Sequence, residues 1–282
     1  MPSEEQISIS KLRLDIAKER LSYADEILKI GDYKTVANRS YYAVFSAMRA
    51  VLALDGFDSK KHSGIIAEFK RRSPSKGWIN ESASLERIAG GYALNGASAL
   101  SVLTDEKYFG GNLDFLRTVA SMVDVPVLRK DFIIDEYQLF QAYEVGADAV
   151  LLIASCLSRE SCMTLASKAH ELGMEVLLEI HSADELGHVD CGADMVGVNN
   201  RNLGTFHTDV NNSFALAELL PKDSVLVSES GISDPKTICR LQDAGYSGFL
   251  IGETFMKTAD PAESLLRFVD EIRHCRKSEK PC

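Results

Sequence analysis

The sequence predicts an α/β protein built as a closed (β/α)8 barrel of the TIM-barrel class, preceded by a helical segment. Three observations carry this expectation. From residue 65 onward, short and nearly continuous apolar runs alternate with amphipathic ones, the pattern of parallel strands covered by helices. About eight such runs fit the length of chain that a closed barrel occupies. A Gly-Ala-(Asp/Ser) triplet precedes three of them, at Gly96-Ala97-Ser98, Gly146-Ala147-Asp148 and Gly192-Ala193-Asp194, as short helix-to-strand turns require.

In chain order, Leu12, Ile16, Leu21, Ala24, Ile27 and Leu28 recur at helical spacing within residues 9–30, and Gly31-Asp32 reads as a stop. A second helix is expected over about 33–54, with Tyr41, Val44, Phe45, Met48, Val51 and Leu52 on its buried side. Gly56 ends it, and the polar run 58–63 connects it to the first strand. The expected division is therefore a helical segment, 1–64, and a barrel, 65–282. Strands are expected at 65–70, 98–103, 126–130, 149–154, 175–181, 195–200, 224–230 and 248–252. Amphipathic segments at 135–145, 158–172, 235–244 and 261–273 read as covering helices.

Composition narrows the function. The formal net charge is −10, which argues against general nucleic-acid affinity. No apolar run approaches the roughly 20 residues needed to span a bilayer, and the polar, acidic N-terminus has no signal-like core, so a cytoplasmic location without a membrane partner is expected. The six cysteines are scattered without CxxC spacing and the histidines show no ligand spacing, so reduced thiols and no metal site are expected.

Active sites of such barrels gather at the C-terminal ends of the strands. Side chains two apart share a strand face, so Glu68 and Lys70 project together, and Ser73-Pro74-Ser75-Lys76-Gly77 comes next with hydroxyls and a cation suited to phosphate. A solvated strand edge is the alternative for that stretch. Later ends contribute Arg129-Lys130-Asp131, Glu179 and His181, Asn199 and Arg201, Glu229-Ser230-Gly231, and Gly252-Glu253. Lys130 could equally belong to a surface ion cluster. Glu179 closes the apolar run Val176-Leu177-Leu178, where a carboxylate is costly unless used or paired. His181 reads as structural, and Arg201 as a brace for the rim. The last two ends read as phosphate-binding turns or simply as tight turns.

Together, AEFKRRSPSKG, SVLTDEKYFGG, PVLRKDF, QAYEVGADAVLLI, LLEIH, VGVNNRNL, SESGI and LIGETFM resemble the indole-3-glycerol phosphate synthase family from about residue 65 to 269. The resemblance implies a lyase of tryptophan biosynthesis. Its small phosphorylated substrate, 1-(2-carboxyphenylamino)-1-deoxyribulose 5-phosphate, is ring-closed with loss of carbon dioxide and water, without a redox cofactor or metal. It further implies Lys130 as general acid, Glu179 as general base, Lys70 as a substrate-contacting lysine that assists the acid, and Glu68 as the carboxylate beside it. Asn199 would orient the substrate and a catalytic group. Ser73, Ser230, Gly231, Gly252 and Glu253, with Arg201 and Glu229, would line the phosphate and sugar subsites, and Phe132 and Leu103 the anthranilate ring.

Residues 1–61 resemble instead the start of a HEPN-type helical domain, through AKERLSYADEILKIGDYKTVANRSYYAVFSAMRAVL, although Arg39 lacks the histidine of an RNase motif. The two likenesses meet at GIIAEFKRR (64–72), where 65–70 must be a strand if the barrel is to close. A HEPN-like segment implies a possible protein partner and a turnover below that of a complete relative. Two rival readings stand: another phosphate-binding barrel enzyme such as a phosphoribosyl-compound isomerase, and an inert barrel carrying an interaction module.

Overall fold

In the computed structural model the described residues are 64–278, together with scattered helical ones between residues 7 and 29. The expected helix over 33–54 and the connector 58–63 lie outside them. The chain divides into two units, Met1–His62 and Ser63–Cys282, and the second is the barrel.

Eight parallel strands close on themselves: β1 (Gly64–Phe69), β2 (Ala99–Leu103), β3 (Val127–Lys130), β4 (Ala149–Ile153), β5 (Glu175–Ile180), β6 (Met195–Asn199), β7 (Val225–Glu229) and β8 (Tyr246–Ile251). Each pairs with its chain neighbour, and β1 closes the ring against β8. Residues 64–69 are thus strand, as closure demands. Most strands start and stop within one residue of the sequence reading; β8 begins two residues earlier.

Among the described residues, seven longer helices cover the ring: α1 (Leu85–Leu94), α2 (Leu113–Met122), α3 (Glu136–Glu144), α4 (Arg159–Glu171), α5 (Asn211–Ala217), α6 (Pro235–Asp243) and α7 (Pro261–Ser278). Asp135 and Gln138 form a reciprocal capping box at α3, Ser158 caps α4, and Asp234 before Pro235 caps α6. Helices α1, α2 and α5 lie between strands, where helices are expected, but are not among the segments singled out from the sequence. In α1 the reason is visible: Gly90-Gly91 interrupts the helical pattern, yet Gly91 is where the helix meets α7.

Strand parity sorts the core into two layers. Val176, Leu178 and Ile180 of β5 point outward into the large core beneath the helices. Leu177 points into the lumen with Leu128, Leu151, Val227 and Leu250. Glu179 shares the parity of Leu177, so it too faces inward. The registers Leu103↔Lys130, Ile153↔Glu179 and Asn199↔Glu229 place these ends at one level.

The Gly-Ala-(Asp/Ser) triplets have a specific job. Gly96, Gly146 and Gly192 adopt positive φ (98°, 84° and 88°) that turns the chain back into a strand. The third residue then donates its N–H to the strand before it: Ser98 to Ile65 O, Asp148 to Val127 O and Asp194 to Val176 O, at 2.9, 2.9 and 3.1 Å. Asp148 and Asp194 add a second bond, accepting from the Val127 and Val176 N–H groups at 2.9 and 2.8 Å.

A Cβ on Gly91 would lie 2.5 Å from the Ala262 Cβ. Gly91→Ala is therefore expected to push α1 from α7 and to cost about 1–3 kcal/mol despite the gain in helix propensity; thermal and urea unfolding check this.

Candidate active site

A cavity of about 650 Å³ opens at the C-terminal ends of the strands. At its floor, Lys130 leaves β3 and projects inward between two carboxylates. Its Nζ lies 2.6 Å from Glu179 Oε2 on β5 and 2.9 Å from Glu229 Oε2 on β7. All three side chains are nearly inaccessible to water. The neighbouring Arg129 points the other way, toward the helices, donating to Asp131 at 2.9 Å, Thr104 Oγ1 at 3.2 Å and the Gln138 carbonyl at 2.5 Å. The surface-cluster alternative for Lys130 is thereby removed: parity splits Arg129-Lys130-Asp131 into an outer brace and an inner ammonium.

Burial alone would lower the Lys130 pKa, but Glu179, Glu229 and Glu68 outweigh it and hold the lysine firmly protonated. Burial likewise pushes Glu179 up, but Lys130 and His181 hold it well below the usual carboxylate range. Glu229 goes the other way. Burial pushes it up to about 7, against the pull of Lys130 and with the charge of Glu179 adding to the rise. One ammonium between two carboxylates leaves the pair to share a proton as the medium acidifies.

Lys70 and Glu68 form a second ion pair at 2.6 Å on the β1 side of the cavity. Asn199 lines the opposite wall and accepts the Arg201 N–H on its Oδ1 at 3.0 Å. Arg201 reaches Thr208 Oγ1 at 3.2 Å, Ser75 Oγ at 3.3 Å and Glu253 at 3.5 Å. Glu253 also takes Lys76 at 2.5 Å, so one carboxylate ties the loop after β1 to the ends of β6 and β8. Burial pushes Glu253 up, but Lys76 and Arg201 keep it below its usual range. Ser230 and Gly231 turn with positive φ (67° and 76°) beside Gly252, giving the rim a stretch of close-approach backbone.

Of the residues to which the family resemblance gives a role, all but Ser73 line the cavity, whereas Gly77, Arg129 and His181 from the strand ends do not. Ser73 is buried in a two-stranded antiparallel ribbon, Arg72–Ser73 with Gly77–Trp78, a pairing that the polar composition of the loop does not announce. The Ser73 hydroxyl is buried without a hydrogen-bond partner, and Ser75 at the ribbon's turn lines the cavity. Arg71, stacked over Trp78 and Phe115 at 5.2 and 5.4 Å, pins the base of this loop.

Two features have no counterpart in the sequence reading. Tyr108 and Phe109 pack against Phe132, at centroid distances of 6.1 and 6.3 Å, into an aromatic wall that Leu103, Leu151 and Ile153 extend. Asn200, beside the inward Asn199, is buried on the outer side. It donates to Ser228 Oγ and the Ser230 carbonyl, both at 3.1 Å, and accepts from Ser213, so it props the Ser230 turn from behind. Strand alternation is the signal that could have found it: of two adjacent amides at a strand end, only one can face the cavity.

A family profile described as Indole-3-glycerol phosphate synthase matches residues 16–268. The chain belongs to the indole-3-glycerol phosphate synthase family. A relative from Bacteroides thetaiotaomicron named indole-3-glycerol phosphate synthase is 57% identical over 269 residues, covering 95% of this chain and 98% of its own. One of the same name from Lachnoclostridium phytofermentans is 39% identical over 258 residues, covering 91% and 94%. The match begins within the segment read as HEPN-like, so the family likeness does not start at residue 65; residues 16–64 fall inside it. Two solved structures share the barrel fold alone. KGPDC from Streptococcus mutans has a TM-score of 0.60 at 12% identity, covering 76% of this chain and 99% of its own. The 3-hexulose-6-phosphate synthase of Salmonella typhimurium has 0.58 at 13%, covering 74% and 99%. Among the described residues, no helix is long and apolar enough to cross a membrane.

Gly197 of β6 faces the lumen where Glu229 sits: a Cβ there would collide with Glu229 Oε1 and lie 3.2 Å from Leu177. Gly197→Ala is expected to dislodge Glu229 from Lys130 and to lower kcat by about 10- to 100-fold, with far-UV circular dichroism unchanged. Steady-state assays of indole-3-glycerol phosphate formation would show it.

Proposed function

We propose that this chain closes the indole ring of 1-(2-carboxyphenylamino)-1-deoxyribulose 5-phosphate, with Lys130 as general acid and Glu179 as general base. The observation that carries the assignment of roles is the buried ammonium of Lys130 held between Glu179 and Glu229 at the floor of the cavity. Attack of the aromatic carbon on the ketone needs a proton delivered to the carbonyl oxygen, and Lys130 is the cation best placed to give it. Lys70, 14% exposed, meets the substrate from the β1 side and assists as the hydroxyl leaves. Decarboxylation comes after ring closure, and Glu179 removes the ring proton that restores aromaticity. The anthranilate ring fits the wall of Tyr108, Phe109, Phe132 and Leu103, where burial of about 25 cal/mol per Å² favours it. The phosphate fits at the other end, against Ser230, Gly231 and Gly252, with Lys76 and Arg201 as the nearby cations and Asn199 and Glu253 orienting the sugar.

The family match over residues 16–268 favours counting most of the 1–64 segment with the lyase, rather than with a HEPN-type module that recruits a protein partner. It also removes the ground for expecting a lowered turnover. A biosynthetic lyase of this kind, acting on a small phosphorylated substrate, is placed in the cytoplasm.

Lys130→Ala and Glu179→Gln are each expected to lower kcat by about 10²- to 10⁴-fold, followed as indole fluorescence on adding the substrate. A well-folded wild type that leaves this substrate untouched while isomerising a phosphoribosyl compound would favour the rival barrel enzyme, which has no need of Lys70, Lys130 and Glu179 together.

A further inference from the structure

His181 is the first residue beyond β5, and its imidazole is 10% exposed. Nε2 lies 3.2 Å from Glu179 Oε1 and Nδ1 lies 3.4 Å from Glu185 Oε2. The backbone is held as firmly. The His181 N–H donates to the same Glu185 oxygen at 2.6 Å, and its carbonyl accepts from Asn212 Nδ2 on α5 at 3.0 Å. A neutral imidazole has one N–H and one lone pair, so it cannot face two carboxylates without setting a lone pair against an oxygen. Neither ring nitrogen meets full hydrogen-bond geometry with its carboxylate, so these are ion-pair contacts, which only the imidazolium can make with both. Burial lowers the His181 pKa, but Glu179 and Glu185 outweigh it and raise it from 6.5 to about 9. Three further titratable groups bear on this cluster: Lys130 on the far oxygen of Glu179, Cys156 beyond β4, and His188, which acts on Glu185.

Glu179 therefore carries a cation on each oxygen, Lys130 on Oε2 and His181 on Oε1. This addresses a difficulty in the proposed chemistry. An acid and a base 2.6 Å apart can exchange a proton with each other instead of with the substrate. We propose that His181 is a positioning residue for ring closure: its imidazolium grips Glu179 Oε1, fixes the plane of the carboxylate, and keeps Glu179 ionised so that the Lys130 proton goes to the substrate. The inference rests on the reading of Glu179 as the base. As Lys130 gives up its proton, Glu179 loses one of its two cations, and the remaining one prevents the carboxylate from capturing the proton intended for the carbonyl. Glu185, outside the cavity, holds the imidazole from behind as the carboxylate of a His–carboxylate pair.

The test combines histidine NMR with pH-dependent kinetics on the full chain. In ring-¹⁵N-labelled wild type, the His181 ring should be doubly protonated at pH 7.5, with its midpoint near 9; a midpoint near 6.5 overturns the proposal. His181→Gln should lower kcat about 10- to 100-fold, leave KM within about twofold, and move the acid limb of the kcat profile toward neutral pH as Glu179 loses its second cation. An unchanged limb, or a loss confined to KM, overturns it. Glu185→Gln should lower the His181 midpoint and shift the same limb in part, which keeps the test decisive if His181→Gln fails to fold. Wild-type kcat in Glu179→Gln would sink the base assignment itself, whereas an inactive Glu179→Gln with an unshifted His181→Gln profile sinks only the positioning role.

Discussion

The barrel holds a lysine and two glutamates in a place where water barely reaches them, and much else in the molecule serves to keep them paired. Each ion taken from water costs several kcal/mol, and that cost is offset only by partners at hydrogen-bonding distance. Lys130, Glu179 and Glu229 meet this condition because β3, β5 and β7 deliver them at one height and on one face. A one-residue slip of any of these strands would turn its charged end into the helix layer and leave the others uncompensated. The same need explains Gly197: the lumen has an empty position on β6 because Glu229 occupies it.

The charges are also graded around the cavity. On the floor, one ammonium faces two carboxylates that burial and neighbours push in opposite directions, Glu179 down and Glu229 up. Two carboxyl groups set apart in this way can do different work at one pH. Near the mouth, Glu253 gathers Lys76 and Arg201 from separate loops, so the cations nearest the proposed phosphate end are already drawn to one place. Between the two lies an aromatic wall that binds by area and leaves direction to the ions.

Much of this is legible in the sequence because parallel strands are nearly pure apolar runs, and any charge at their ends stands out. Glu68, Lys70, Lys130, Glu179, Asn199 and Glu229 all stand out in that way. What the runs do not reveal is partnership. Glu229 lies 99 residues from Lys130 along the chain, and no local pattern joins them. Ser73 and Ser75 are equivalent in a polar pentapeptide until the ribbon pairs and buries one and leaves the other at its turn, beside Arg201. Helix α1 is hidden because its two glycines serve packing rather than helix propensity, Gly91 against α7 and Gly90 against Met122 of α2. The N-terminal segment misleads through local likeness: a short helical pattern fits many families, and only a comparison spanning residues 16–268 has the reach to decide.

The triplet turns have a wider consequence. Each of the three binds the start of its own strand to the start of the strand before, and two of them do so through both backbone and side chain. The ring is thereby joined at the end opposite the chemistry, where nothing needs to vary. Such an arrangement divides labour between the two ends of the barrel: loops at one can be rewritten for a new reaction while stitches at the other go on specifying which strand neighbours which. That separation lets one architecture be inherited intact while its catalytic repertoire drifts.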